Sequence, residues 1–264
     1  MLWQRFLTAL LGIPFALLVV YWGKLPFFLT ITILSLLGLK EYFGMVYRLG
    51  AKPFCLLGYF AALIILGATY LGTPYTRLEL LLPFFLFGAI SLLSNFGKRN
   101  VKDFALTFLG VFYVAGFFSY LLQVRFQFSD GFQWVVMILI LIWVNDSGAY
   151  FVGKKFGKRK LHHLVSPKKT VEGAVGGIVA TALTAMLLNY FWQLLPALHG
   201  IILSVLVAIT GIVGDLWESA LKREAGIKDS GILLPGHGGI LDRFDSLLFA
   251  IPVVYYYLQG FIID

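Results

Sequence analysis

Nine apolar stretches of about twenty residues each dominate this chain, at 6–23, 25–46, 54–72, 78–95, 104–124, 131–150, 173–193, 199–219 and 245–263. A helix needs about twenty apolar residues to cross roughly 30 Å of hydrocarbon, and backbone polar groups must be satisfied internally there. The pattern therefore predicts an all-α, polytopic transmembrane helical bundle of about nine spans. The 264 residues leave no room for a separate soluble domain, so 1–264 is read as one integral membrane domain, with N-terminal helices over 1–130 and the polar chemistry over 131–264. Composition agrees, since 59% hydrophobic and 13% charged residues lie far from the roughly 25% charged content of soluble domains. Gly12-Ile13-Pro14 interrupts the first stretch, yet apolar sequence runs on to Trp22 with no small-residue cleavage site, so it is read as a helix and not a signal peptide. The single Cys55 excludes a disulfide framework and a cysteine metal site.

The cations set the expected topology. With nine spans, the N-terminus and every second loop share one side and carry 18 of the 21 Lys and Arg residues, leaving Lys24, Arg77 and Arg125 opposite. Lys/Arg excess in short loops marks the cytoplasm, so the N-terminus is expected inside, in a cell (inner) membrane, and Asp264 outside. The net charge of +8 then belongs to one face. It suits anionic headgroups or an anionic substrate equally, and the partner is a lipid bilayer and not nucleic acid.

Carboxylates gather at that same face. Asp146 lies late in the sixth stretch, Asp215 and Glu218 late in the eighth, and Asp242 and Asp245 at the start of the ninth. Asp215, Glu218, Ser219 and Lys222 follow i, i+3, i+4, i+7 spacing, which stacks them on one helical face; Asp242, Asp245 and Ser246 repeat the first part of that pattern. Singly, each acid reads as an interfacial carboxylate paired with a neighbouring Lys or Arg. Three helix ends at one level make a site the better reading of the set, because charge at membrane depth is costly.

Two further segments carry polar chemistry. In 154–173, KKFGKRKLHHLVSPKKTVEG, Ser166 reads as an N-cap and Pro167 as the first helical residue, which puts Lys168 and Lys169 in a first turn that normally favours acids. A helix N-terminus with two added lysines would hold a phosphate well; the bland alternative is a basic loop obeying the insertion rule. His162 and His163 read as solvated. Pro235-Gly236-His237-Gly238-Gly239 cannot be regular helix and reads as a tight polar loop, followed at once by Asp242-Arg243-Phe244-Asp245.

Carboxylates repel phosphates, so acids beside a phosphate site imply a divalent ion that, with Lys and Arg, neutralises phosphoryl oxygens. An oxygen-only donor set favours Mg²⁺ over zinc, and whether a monovalent cation such as K⁺ joins it stays open. The mixture points to phosphoryl or nucleotidyl transfer. An ion-coupled membrane transporter is the rival, because intramembrane acids and glycine-broken helices also build ion pathways.

Ser219-x-Leu221-Lys222-Arg223, then Lys228-Asp229-x-Gly231, then Leu234-Pro235-x-His237-Gly238-Gly239-Ile240-x-Asp242-Arg243-Phe244-Asp245 resembles the signature of the CDP-diglyceride synthetase (phosphatidate cytidylyltransferase) family. The likeness extends through Asn145 to Tyr150, Ser166 to Gly173 and Gly214 to Ser219, with Val171 where tryptophan is common in the family. Residues 1–130 match only as apolar, polytopic sequence. The resemblance implies condensation of CTP with phosphatidic acid to CDP-diacylglycerol and pyrophosphate, dependence on Mg²⁺, and a homodimer.

On that reading Asp215 and Asp242 are the leading metal ligands, supported by Asp146 and Asp245. Lys168, Lys169, Lys222, Arg223 and Arg243 fall to triphosphate or lipid phosphate, beside Ser219. Ser166 and Lys228 join them in substrate binding, and the loop of Gly236, His237, Gly238 and Gly239 closes around nucleotide or pyrophosphate. A phosphate monoester is already largely dianionic at neutral pH, with a second pKa near ~6, so positioning and charge neutralisation should dominate over base catalysis. A CTP-dependent polyprenol or phytol kinase would share nucleotide and lipid but would transfer the terminal phosphate to a hydroxyl.

Overall fold

The computed structural model describes residues 2–73, 77–231 and 238–261, with side chains from Leu10 onward except at 11, 77, 78 and 80. In chain order its elements are α1 (Leu2–Trp22), α2 (Lys24–Arg48), α3 (Cys55–Tyr70), α4 (Arg77–Ser94), α5 (Val101–Gly110), a π-helical turn (Val111–Gly116), α6 (Phe117–Gln127), α7 (Gly131–Phe156), β1 (Lys160–His162), β2 (Ser166–Thr170), α8 (Val171–Trp192), α9 (Ala197–Glu224) and α10 (Leu241–Phe261). Each of the nine apolar stretches lies on helix among the described residues. Among the described residues five helical runs are long and apolar enough to cross a membrane: Lys24–Arg48, Val101–Gln127, Gly131–Phe156, Val171–Trp192 and Ala197–Glu224. Gly12–Trp22, Cys55–Tyr70 and Leu81–Ser94 are shorter apolar runs.

The chain forms two compact units, residues 1–123 with 221–243, and residues 124–220 with 244–264. The first is built on aromatic packing. Tyr42, Phe43 and Tyr113 are almost completely buried, and Tyr42 sits where a side chain at Gly110 would stand. The turn from α2 to α3 is tied to the start of α5, where Asn100 and Asp103 form a reciprocal capping box. Asp103 also accepts the Lys52 N–H at 2.6 Å, and Thr107 accepts that of Phe54 at 2.9 Å. These bonds satisfy backbone donors at a helix end that water would otherwise serve.

The second unit rests on small residues. Gly173, Gly177, Thr181 and Ala185 recur every four residues as the buried stripe of α8. Without large side chains there, α7 approaches closely enough that a Cβ on Gly177 would lie 2.6 Å from the Asn145 Oδ1, and one on Gly148 2.9 Å from the Ala180 Cβ. Helices surrounded by lipid gain little from burying apolar surface against one another, so close backbone packing does that work. Gly214 of α9 likewise gives way to the Asp245 carbonyl and the Phe249 ring of α10.

One local expectation is corrected. Ser166 is not an N-cap and Pro167 does not open a helix: Ser166–Thr170 is strand β2, antiparallel to β1 with Lys160 opposite Thr170 and His162 opposite Ser166. The cap is Thr170, whose hydroxyl accepts the Gly173 N–H at 3.1 Å, and Glu172 stands in the first turn. This arrangement obeys the helix dipole, which the earlier start violated by placing two lysines in the first turn. Pro167, lacking an N–H, is tolerated in a two-stranded edge.

Candidate active site

The hairpin and three helices of the second unit bring together five of the residues singled out from sequence. Lys169 of β2 donates its ammonium to Oδ2 of Asp215 on α9. Ser219, one turn further along α9, donates to Oδ1 of the same carboxylate at 3.3 Å. Asp245 of α10 lies within electrostatic reach of Asp215, Asp146 and Lys169. The small side chains that pull α7, α8, α9 and α10 together thus bring three carboxyl groups into one neighbourhood with the Lys169 ammonium. A cavity of about 320 Å³ opens beside them, with Asp146, Lys168, Lys169 and Asp215 in its walls. Asn145, 2% exposed, also lines it, and its Oδ1 has no hydrogen-bond partner among the described residues.

Asp242 falls in the first unit and in a different network. Its Oδ1 accepts from the Lys222 ammonium at 2.6 Å. Its Oδ2 accepts from the Ser230 N–H at 2.8 Å, the Ser230 hydroxyl at 2.9 Å and the Gly239 N–H at 2.8 Å. Burial pushes this carboxyl up, but the bond to Lys222 and the N–H groups of Gly239 and Ser230 outweigh it and hold the group below the ordinary aspartate range. Gly238, with φ at +82°, makes the turn that aims these donors inward.

Sequence reasoning missed Glu41. From α2 it accepts the Ile240 and Leu241 N–H groups at 2.9 Å each and the Ser230 hydroxyl at 3.0 Å, serving the orphan donors at the start of α10. Gly231 and Gly239 enclose it, since a Cβ on either would lie 2.5 Å from its carboxylate oxygens. The available signal was a single acid among apolar residues of the second stretch.

Ser166 and Lys168 lie in β2, Lys168 exposed. Arg223 is exposed and donates to the Ile227 carbonyl at 3.4 Å, while Arg243 and Lys228 have exposed side chains. Gly236 and His237 fall outside the described residues. Glu218 is fully buried.

The donor chemistry around Asp215 suits a hard cation, being oxygen throughout. No group of three or more His, Cys, Asp or Glu side chains among the described residues is gathered closely enough to form a ready-made cage. Magnesium does not require one, because it is commonly held by one or two carboxylates together with water and substrate phosphates.

Over residues 3–261 the chain matches the model of the cytidylyltransferase family. Among curated relatives it is similar to the phosphatidate cytidylyltransferase of Bacillus subtilis, 37% identical over 267 residues that cover 98% of each chain. It is 34% identical to the protein of that name from Staphylococcus haemolyticus, over 95% of this chain and 96% of the relative. Against the one from Synechocystis sp. it is again 34% identical, over 97% and 96%.

Proposed function

The chain belongs to the cytidylyltransferase family, and from that membership we propose that it condenses CTP with phosphatidic acid, giving CDP-diacylglycerol and pyrophosphate. The observation that carries this reading is the pairing of Lys169 with Asp215, close to Asp245, beside a cavity that Asp146 and Lys168 also line. The lipid phosphate oxygen attacks the α-phosphorus of CTP. A new phosphoric anhydride bond forms, the bond from the α-phosphorus to the β-phosphate oxygen breaks, and pyrophosphate leaves with the electron pair. The attacking oxygen is already deprotonated near pH 7, so the protein's task is to hold two anions together and offset their charge. Lys168 serves a phosphate directly. Lys169 holds Asp215 and turns to phosphate oxygens as they arrive, while Ser219 fixes the Asp215 carboxylate in orientation.

Mg²⁺, held by Asp215 and Asp245 with Asp146 in support, would supply Lewis-acid neutralisation of the phosphoryl oxygens. Asp242, which accepts four hydrogen bonds, has little capacity left for a metal and serves to fix the turn at 238–242. Nine membrane crossings with the N-terminus in the cytoplasm complete the proposal, supported by the nine apolar helical stretches and by the 18 to 3 division of Lys and Arg. That arrangement puts the polar helix ends where a lipid and a cytosolic nucleotide can both reach them. A homodimer is the expected state.

The test is purified protein in detergent with phosphatidate and CTP labelled at the α-phosphate. Label in lipid with equimolar pyrophosphate supports the reading. Label left in water-soluble CDP would show terminal phosphate transfer instead, and no conversion would favour a carrier.

A further inference from the structure

A second cavity, of about 720 Å³, lies within the first unit between α2 and residues 227–231. That volume is in the range that holds a small-molecule ligand. Lys40 and Arg48 line it from α2, two turns apart on one helical face, and Lys228 lines it from the facing segment. None of the three forms an ion pair or hydrogen bond with another described residue, unlike Lys169 and Lys222, which are both engaged with carboxylates. Two acids also line the cavity. The charge of Glu41 is spread over three donors, leaving Asp229 alone against the three cations. Between Lys40 and Arg48 stands Gly44, with nothing within 4 Å of the position a Cβ would take, so a ligand could reach the helix backbone there. Leu37, Met45 and Ile227 supply an apolar wall.

Unpaired cations beside an apolar wall recognise an anion that carries a hydrophobic part. We propose that this cavity is a phosphate-ester site at which Lys40, Arg48 and Lys228 hold the phosphate of a substrate ahead of transfer. Both substrates of the reaction carry such a group, and the apolar wall favours the lipid over the nucleotide. Insertion alone requires cations at the helix end, but it does not require them to converge on a cavity facing a third from 180 residues later in the chain. The inference rests on the assigned reaction and adds Lys40 and Arg48 to it.

The experiment is steady-state turnover of Lys40→Gln/Arg48→Gln in mixed micelles, with phosphatidate mole fraction and CTP varied independently. Loss of charge-assisted contacts should raise KM for phosphatidate by about tenfold or more while kcat and KM for CTP stay within about twofold. Lys40→Arg, which keeps the charge, should restore the wild-type value at its position. A rise confined to KM for CTP would assign the phosphate site to the nucleotide and overturn the lipid as its occupant. Unchanged KM values for both substrates would overturn the site altogether. Should the double variant not fold, as read by circular dichroism and thermal melting in detergent, the single Lys40→Gln and Arg48→Gln proteins carry the same comparison. Wild-type protein in the same assay separates the two readings: if it makes no CDP-diacylglycerol the assigned reaction fails, whereas normal wild-type turnover with an insensitive variant sinks this site alone.

Discussion

Lys222 donates its ammonium to Oδ1 of Asp242 across 2.6 Å, with the two side chains only 11% and 6% exposed. Breaking such a pair leaves one charge uncompensated in a poorly hydrated place, at a cost of about 3–5 kcal/mol. Lys222→Met should therefore lower the detergent melting temperature strongly. Combining it with Asp242→Asn should lose less than the sum of the two single changes, as a double-mutant cycle by thermal melting would show.

Acid should weaken the same contact. The Asp242 carboxyl titrates below its ordinary value of about 3.9. Its contribution to stability is complete above the unfolded-state pKa and disappears as pH falls through the lower folded-state value. The gap in melting temperature between wild type and Asp242→Asn should hold from pH 7 to about pH 5 and shrink toward pH 3. A gap that widens with acid would show that the carboxyl is not held down by its donors.

Glu41 is expected to matter although it lies outside the family signature. Glu41→Ala would orphan the N–H groups of Ile240 and Leu241, costing about 1–3 kcal/mol if they stay dry. Gly239→Ala should destabilise the turn for the complementary reason, because the new methyl would meet the Ser230 hydroxyl and stand 2.5 Å from the Glu41 oxygens. Glu41→Ala/Gly239→Ala should recover part of that loss, measured by melting.

What the sequence made legible, and what it hid, follows from how far each pattern reaches. Apolar length located the helices among the described residues, because a hydrocarbon environment leaves the backbone few other choices. Helical spacing put Asp215, Glu218, Ser219 and Lys222 on one face, but it says nothing about the facing neighbour. Lys222 turned out to serve Asp242, and Asp215 to serve Lys169. The hairpin at Lys160–Thr170 escaped because Ser166-Pro167 imitates a helix start. The two lysines that follow it are poor first-turn residues, and that conflict was the clue. Glu41 escaped because its partners lie 189 to 200 residues away and are mostly backbone groups, which leave no side-chain pattern to read.

Chelation offers an independent check on the proposed metal. EDTA should abolish turnover and Mg²⁺ should restore it, and Asp245→Asn should raise the Mg²⁺ concentration needed for half-maximal rate while the melting temperature without metal holds or rises. Replacing a buried carboxyl that two others repel relieves strain on its ionised form, which is why stability and activity should move in opposite directions.

The most direct test of the central claim is transfer of α-phosphate label from CTP into lipid by wild type and Asp215→Asn at saturating Mg²⁺, both shown to be folded. The account predicts labelled CDP-diacylglycerol from wild type and a rate lower by at least about a hundredfold from the variant, since the proposed role of Asp215 is to anchor the charge arrangement around the reacting phosphates. A variant that forms CDP-diacylglycerol at the wild-type rate would contradict it.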